Sequence, residues 1–229
     1  MRKLPKLPTN IQAFARIRNE KYLYVDKTKY LIDLIDTGDG YFLSRPRRFG
    51  KSLTISTFDA LFSGKRELFK GLYAEEFCSR PEYRAYPVIR LDMSKIITHN
   101  GVEGLLDSML LQVIDNAERN ALTLSELSMK NPATAFDALI SRTAQKEQRP
   151  VVLLIDEYDK PILDNLNNMK EMQKIREILR DFYVQIKAAG ADVHFTFVTG
   201  ISKFSKMGLF SALNNLMDIS MNDEYATML

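Results

Sequence analysis

The residues best suited to chemistry form a basic loop, SRPRRFGKS at residues 44–52, which follows a short apolar stretch and opens a predicted helix. This order is that of a phosphate-binding loop. Backbone N–H groups at a helix N-terminus point toward one spot, where the helix dipole favours an anion. Lys51 would place a positive charge beside the β- and γ-phosphates of a nucleotide, and the Ser52 hydroxyl would bind Mg²⁺.

The loop departs from the pattern G-x-x-x-x-G-K-[ST] at one position, where Arg45 replaces the first glycine. Because Gly-Lys-Ser also occurs by chance, the alternative is a surface turn that caps an ordinary helix. Arg47 and Arg48 could each bind phosphate oxygens through a guanidinium fork, or belong to a solvated basic loop. The predicted nucleotide-binding residues are Arg45, Pro46, Arg47, Arg48, Phe49, Gly50, Lys51, Ser52 and Leu53.

A second polar set follows the apolar run at residues 151–155. An uninterrupted apolar run suits a strand that is covered on both faces, as in a parallel sheet. The run ends in Asp156 and Glu157. In Mg²⁺-dependent ATP hydrolysis, Asp156 would hold the ion through a water and Glu157 would take a proton from the attacking water. The alternative is an ordinary acidic turn between a strand and a helix, but the basic loop upstream favours a joint nucleotide site.

Predicted strands alternate with predicted helices, which indicates an α/β fold with a mostly parallel five-stranded sheet sandwiched by helices. The strands are expected at 41–44, 87–93, 151–155, 193–198 and 216–220, with a further short β-prone stretch at 22–25. The helices are expected at 11–19, 27–37, 51–62, 102–120, 132–147 and 169–189.

Ligands of such sheets bind beyond the carboxyl ends of the strands. The basic loop, the acidic pair, Asp92 with Ser94, and residues 199–202 should therefore meet at one edge. Thr199 would position the attacking water, or else make a local turn hydrogen bond. Asp92 and Ser94 either touch the Mg²⁺ shell or cap the chain after their strand.

Composition limits the class of protein. The chain has 229 residues, 45% of them hydrophobic, which suits one α/β domain with a full core. Its net charge of +3 is too small to indicate nucleic-acid binding by itself. One cysteine, Cys78, excludes an intrachain disulfide and fits a reducing compartment. The basic N-terminus lacks the apolar region of a secretory signal, and no apolar run is long enough for a membrane span, so we expect a cytoplasmic protein.

Four motifs in order resemble the predicted AAA-ATPase-like family of bacterial proteins. They are YVDKT at 24–28, SRPRRFGKS at 44–52, LIDEYDKP at 154–161 and TGISKFS at 199–205. The resemblance implies a P-loop NTPase fold of the additional-strand type, with the sensor strand between the two motif strands, and ATP and Mg²⁺ as ligands. Arginine commonly replaces the first loop glycine in this family. Its members often carry a C-terminal nuclease-like domain of the PD-(D/E)XK type.

The resemblance also suggests a domain organisation and a function. Residues 1–40 would be an N-terminal extension that packs on the core, and residues 41–229 the P-loop ATPase core, without its lid or a C-terminal domain. The catalytic residues would be Lys51, Glu157 and Thr199, and the metal-binding residues Ser52 and Asp156. ATP hydrolysis would drive or switch a partner domain. The alternative is a regulatory nucleotide-binding module with little or no hydrolysis that serves a nuclease-like, nucleic-acid-processing protein, and a homo-oligomer stays open in both cases.

Overall fold

The structure, a computed structural model, describes residues 5–123, 131–202 and 210–228. Its strands are β1 (Gly40–Ser44), β2 (Val88–Asp92), β3 (Val151–Asp156), β4 (Val193–Gly200) and β5 (Met217–Asp218). Its helices are α1 (Phe14–Asn19), α2 (Thr28–Thr37), α3 (Lys51–Phe62), α4 (Ala74–Ser79), α5 (Gly101–Arg119), α6 (Pro132–Glu147), α7 (Lys160–Leu163) and α8 (Met169–Ala188). The strands form one sheet in the order β2-β3-β4-β1-β5, and every described pair is parallel.

The sheet is covered by helices on both faces, as the apolar runs predict. All six residues of β3 are buried, and their side chains alternate between two core clusters. Leu153 and Ile155 pack with residues of α5, α6 and α8. Val152 and Leu154 pack with residues of α2 and α3. The chain is therefore an α/β protein with a central parallel sheet.

The position of β4 aligns the carboxyl ends of three strands. β4 lies between β1, which leads into the basic loop, and β3, which ends in the acidic pair. Thr199 on β4 is the register partner of Leu43 on β1. On the other side of β3, Asp92 is the register partner of Asp156. The polar residues that follow these strands therefore lie at one edge of the sheet.

Most predicted elements are present, with α3 at the predicted bounds, and the differences are short. Residues 22–25 form no strand; Leu23 N donates instead to Lys6 O in an extended stretch. β5 has two residues rather than the predicted 216–220. Residues 203–205 of the fourth motif lie outside the described residues. Among the residues that the structure describes, every helix is too short or too polar to cross a bilayer.

Side-chain amides of α5 cover the open edge of β2 and fix the strand that carries Asp92. Asn116 accepts a hydrogen bond from Arg90 N at 2.7 Å and donates one to Arg90 O at 2.8 Å. Gln112 repeats this pattern with Asp92 N and O at 2.7 and 2.8 Å. The spacing matches because four helical residues rise about 6 Å and two strand residues about 6.6 Å. The amides thus satisfy backbone groups that would otherwise pair with another strand.

We expect Asn116→Ala to lower the free energy of unfolding by about 1–3 kcal/mol, since it leaves Arg90 N and O without these partners. Urea denaturation would measure the change. Glu118→Ala, at an exposed position of the same helix, is the control and should stay within about 0.5 kcal/mol of wild type. Equal stability losses in the two variants would show that the amide pairing contributes nothing.

Candidate functional site

The turn from β1 into α3 gives the helix an open N-terminus. Gly50 precedes α3 with φ +80°, and Arg48 also has a left-handed backbone with φ +68°. The first hydrogen bond within the helix runs from Thr54 N to Gly50 O at 2.9 Å. Among the described residues, no side chain caps this N-terminus. The N–H groups of the first helical turn are therefore directed toward the loop, as phosphate binding requires.

The Lys51 ammonium lies inside the loop. Lys51 is 4% exposed, and its Nζ donates to the carbonyl oxygens of Arg45 and Pro46, each at 2.9 Å. Burial lowers the pKa of Lys51, and the charges of Glu157, Asp156 and Asp159 oppose that decrease. The carbonyls and the nearby acids thus hold a buried cation at the head of α3.

Arg45 replaces the expected glycine without breaking the strand. Its N donates to Gly200 O at 3.1 Å, which extends the pairing of β1 with β4. Its guanidinium donates to the carbonyls of Ser44, at 3.1 Å, and Ser220. The side chain thus ties the loop to the segment that follows β5. The nucleotide contact predicted for Arg45 stays a prediction.

A hydrogen bond between β3 and β4 positions the acidic pair. Thr199, fully buried, donates from Oγ1 to Asp156 Oδ1 at 2.5 Å. Thr199 Oγ1 also accepts a hydrogen bond from Glu157 N at 3.3 Å. Glu157 follows with a left-handed backbone, φ +53°, which is uncommon for a residue with a side chain. Thr199 therefore contacts both predicted acids, although its predicted role as a sensor is not tested by this geometry.

The basic loop and Glu157 meet at one cleft of about 270 Å³, whereas the buried Asp156 is not among its lining residues. Lys51, Ser52 and Glu157 line the cleft, together with Arg48 and residues 50 and 53. Burial, and next the charge of Asp156, raise the pKa of Glu157, whereas the Lys51 and Arg47 charges oppose this increase. The effect of the Arg47 charge on Glu157 indicates that Arg47 lies within electrostatic reach of the cleft. Pro46 and Phe49 are exposed on the loop.

Two parts of the site escaped sequence reasoning. Pro8 and residues 10–12 of the N-terminal segment complete the lining of the cleft, and nothing in their residue types indicates this.

Of the two roles predicted for Asp92, contact with the Mg²⁺ shell or capping of the chain after its strand, the structure shows the second. Asp92 Oδ1 accepts from Ser94 N at 3.1 Å and from Ser94 Oγ at 2.6 Å, which is the capping role.

Asp159, the last acid of the DEYD sequence, is the other feature that sequence reasoning missed. It is fully buried, and its Oδ2 accepts from Ile201 N at 3.0 Å and from Ser202 N at 2.7 Å. Its Oδ1 has no hydrogen-bond partner among the described residues. Burial raises the pKa of Asp159, and the two backbone donors oppose that shift. The sequence places this acid after the strand, but only the fold shows that it faces β4.

The backbone that follows Thr199 is held from both sides. Ser44 Oγ donates to Ile201 O at 2.8 Å, and Tyr158 Oη donates to Ser202 O at 2.9 Å. Gly200 allows this close contact, because a Cβ there would lie 2.6 Å from the Tyr158 ring. Residues 200–202 therefore connect the strand before the basic loop with the segment after the acidic pair. We call residues 200–202 the bridging segment.

We expect Asp159→Ala to lower the free energy of unfolding by about 2–4 kcal/mol, because two backbone N–H groups lose their acceptor. Asp159→Asn keeps one acceptor oxygen and should lose clearly less. Chemical denaturation of both variants measures the difference. An alanine variant as stable as the asparagine variant would mean that these hydrogen bonds do not hold the bridging segment.

The raised pKa of Glu157 predicts a pH-dependent effect on stability. A folded-state pKa above the ordinary 4.5 means that the fold favours the neutral carboxyl. Wild type therefore loses stability as pH rises from 4.5 through the folded-state pKa. Glu157→Gln removes the loss. Its melting temperature should exceed that of wild type at pH 7.5, and the gap should shrink as pH falls toward 4.5. Glu103→Gln, at an exposed position, is the control; a Glu157→Gln variant that melts at or below wild type at pH 7.5 would contradict the burial effect.

Comparisons with known proteins identify the family of the chain. A model of the family described as "Predicted AAA-ATPase" matches residues 8–210. The chain is 42% identical over 225 residues to "Uncharacterized protein in vnfD 5'region" of Azotobacter chroococcum mcd 1. That alignment covers 97% of this chain and 42% of the relative, so the chain spans less than half the length of the relative. The family match contains both the basic loop and the acidic pair, and the chain belongs to the predicted AAA-ATPase family.

Proposed function

We propose that this chain binds Mg-ATP at the cleft between the basic loop and the acidic pair and hydrolyses its γ-phosphate. The observation that carries the proposal is that Lys51 and Ser52, at the N-terminus of α3, line one cleft together with Glu157, which is far from them in sequence. Cation, hydroxyl and carboxylate at a helix N-terminus are the groups that phosphoryl transfer uses.

The loop supplies the phosphate site. The N–H groups of the first turn of α3 donate to phosphate oxygens, and the helix dipole favours the negative charge. The two loop carbonyls use two of the three donors of the Lys51 ammonium. The third is available for a phosphate oxygen, and the ammonium can turn further toward the anion when the nucleotide binds. Arg47 and Arg48 add positive charge at the edge of the cleft.

The donor set fits Mg²⁺. The ion prefers oxygen ligands, keeps several waters, and is usually held by one or two protein oxygens together with substrate phosphates. Ser52 Oγ and the Asp156 carboxylate would hold it, and Thr199 keeps Asp156 in place through their hydrogen bond. When bound, Mg²⁺ would neutralise charge on the phosphate oxygens.

Glu157 suits the role of general base. Its carboxylate lines the cleft, and its raised pKa makes it a better proton acceptor than an ordinary glutamate once it is ionised. In hydrolysis, the water oxygen bonds to the γ-phosphorus, the bond from that phosphorus to the bridging oxygen of ADP breaks, and the water proton passes to Glu157. Lys51 stabilises the negative charge that develops on the phosphate oxygens.

The N-terminal residues belong to the same site and are not a separate unit in this proposal. Phe14 packs in a cluster with Ala60 and Leu61 of α3, and Phe14 N donates to Ser56 Oγ at 2.9 Å. We infer that residues 5–40 form an extension of the ATPase core that closes one side of the cleft. A partner domain and a homo-oligomer stay predictions.

Two variants separate binding from hydrolysis. Lys51→Ala should weaken ATP affinity about 10–100-fold, since it removes a charged hydrogen bond of about 1.5–3 kcal/mol. Glu157→Gln should bind ATP as wild type does but lose about 100-fold or more in turnover, because the general base is gone. Calorimetry and phosphate release measure the two effects.

Lys29→Ala is the control for the lysine variant, because Lys29 lies in an exposed helical ion pair with Asp33. It should bind and hydrolyse ATP like wild type. Equal hydrolysis by wild type and Glu157→Gln would refute the assigned base. ATP binding without measurable turnover in wild type would instead support a regulatory nucleotide-binding module.

A further inference from the structure

An apolar cavity of about 270 Å³ lies beside the phosphate cleft and runs along one face of α3. Gly50, Leu53, Thr54 and Thr57 line it. These positions are spaced by three and four residues, so they share one side of the helix. From Gly50 to Thr57 the helix axis advances about 10 Å. The cavity therefore begins at the helix N-terminus, where the phosphates would bind, and extends alongside the helix.

The other walls of the cavity come from the N-terminal segment and from the end of the described chain. The remaining lining residues are Pro8, Ile17, Leu23, Tyr24, Val25, Lys27, Leu31 and Met228. Tyr24 packs edge-on against Phe14 with ring centroids 5.2 Å apart, which fixes its ring. Leu23 and Val25 are 43% and 66% exposed. These two aliphatic side chains are thus open to an apolar ligand.

The cavity and the phosphate cleft are adjacent, because Pro8, Gly50 and Leu53 line both. We propose that the cavity holds the nucleobase of the nucleotide whose phosphates bind at the N-terminus of α3. This inference rests on the proposed function. A planar base placed beside Leu53 would cover Leu23 and Val25 with its apolar face and remove their surface from water.

The lining also indicates how the base would be recognised. Lys27 Nζ donates to Thr227 O at 2.6 Å, and Thr57 Oγ1 donates to Leu53 O at 2.8 Å. Thr57 is also hydrogen-bonded to the Tyr24 hydroxyl, so three of the four polar side chains of the lining are engaged within the protein. Discrimination between adenine and guanine needs polar groups aimed at the base edge, whereas an apolar wall separates similar ligands weakly. We therefore expect the site to accept both purine nucleotides, with affinities within about tenfold of each other.

Calorimetric titration with three probes tests the inference: Mg-ATP, Mg-GTP and Mg-tripolyphosphate, which has the phosphates without the nucleoside. Wild type should bind the two nucleotides more tightly than tripolyphosphate. The double variant Leu23→Ser with Val25→Ser should lose about tenfold in affinity for both nucleotides and stay within about twofold of wild type for tripolyphosphate. The matched control is Leu166→Ser with Val184→Ser, which alters two aliphatic side chains of similar exposure, 49% and 41%, away from the cavity. It should bind all three probes like wild type.

The outcomes separate this inference from the proposed function. Unchanged nucleotide affinity in the Leu23/Val25 variant, or an equal loss of tripolyphosphate affinity, would overturn the nucleobase cavity and leave the phosphate site standing. A preference of clearly more than tenfold for one purine would overturn the recognition by apolar contact. Failure of wild type to bind any of the three probes would overturn the phosphate site and the cavity together.

Discussion

The hydrogen bond from Thr199 to Asp156 is the interaction on which the site depends most. It joins β4 to the end of β3, and β4 is also paired with the strand that leads into the basic loop. The bridging segment then continues this connection. Its backbone is bound on one side by Ser44 and Arg45 and on the other by Tyr158 and Asp159. The cation and the acids are thus held relative to each other by one short stretch of chain.

In the proposed function, the same connection would give a physical route from the bound nucleotide to the bridging segment. A change in the position of Lys51 would reach the bridging segment through Arg45, whose carbonyl accepts from Lys51 and whose N donates to Gly200 O. A change in the position of Asp156 would act on Thr199, which donates to it. The chain continues from Ser202 into residues outside the described part. In the proposed function, a segment tied to both the basic loop and the acidic pair would respond to the presence of the γ-phosphate.

The sequence predicted the α/β class and α3 at its observed bounds, because these depend on local apolar runs and on helix signals. The resemblance to the predicted AAA-ATPase-like family, rather than any local pattern, implied the strand between the two motif strands. The sequence missed what depends on contacts between distant segments. The buried Asp159 could be understood only once β4 was known to lie against it. The position of Pro8 in the lining of the cleft, and the hydrogen bonds of Asn116 with the edge of β2, likewise depend on packing. The stretch at 22–25 has strand-like residues, but it lines a cavity on the side of α3 and joins no sheet.

The central claim is that a hydroxyl, a cation and two acids surround a triphosphate and its metal ion. Titration of ATP in the presence and absence of Mg²⁺, with wild type and Asp156→Asn, tests it most directly. The account predicts saturable binding that Mg²⁺ strengthens in wild type, and a loss of this Mg²⁺ dependence in the variant. Absence of saturable binding, or equal affinity with and without Mg²⁺ in wild type, would contradict it.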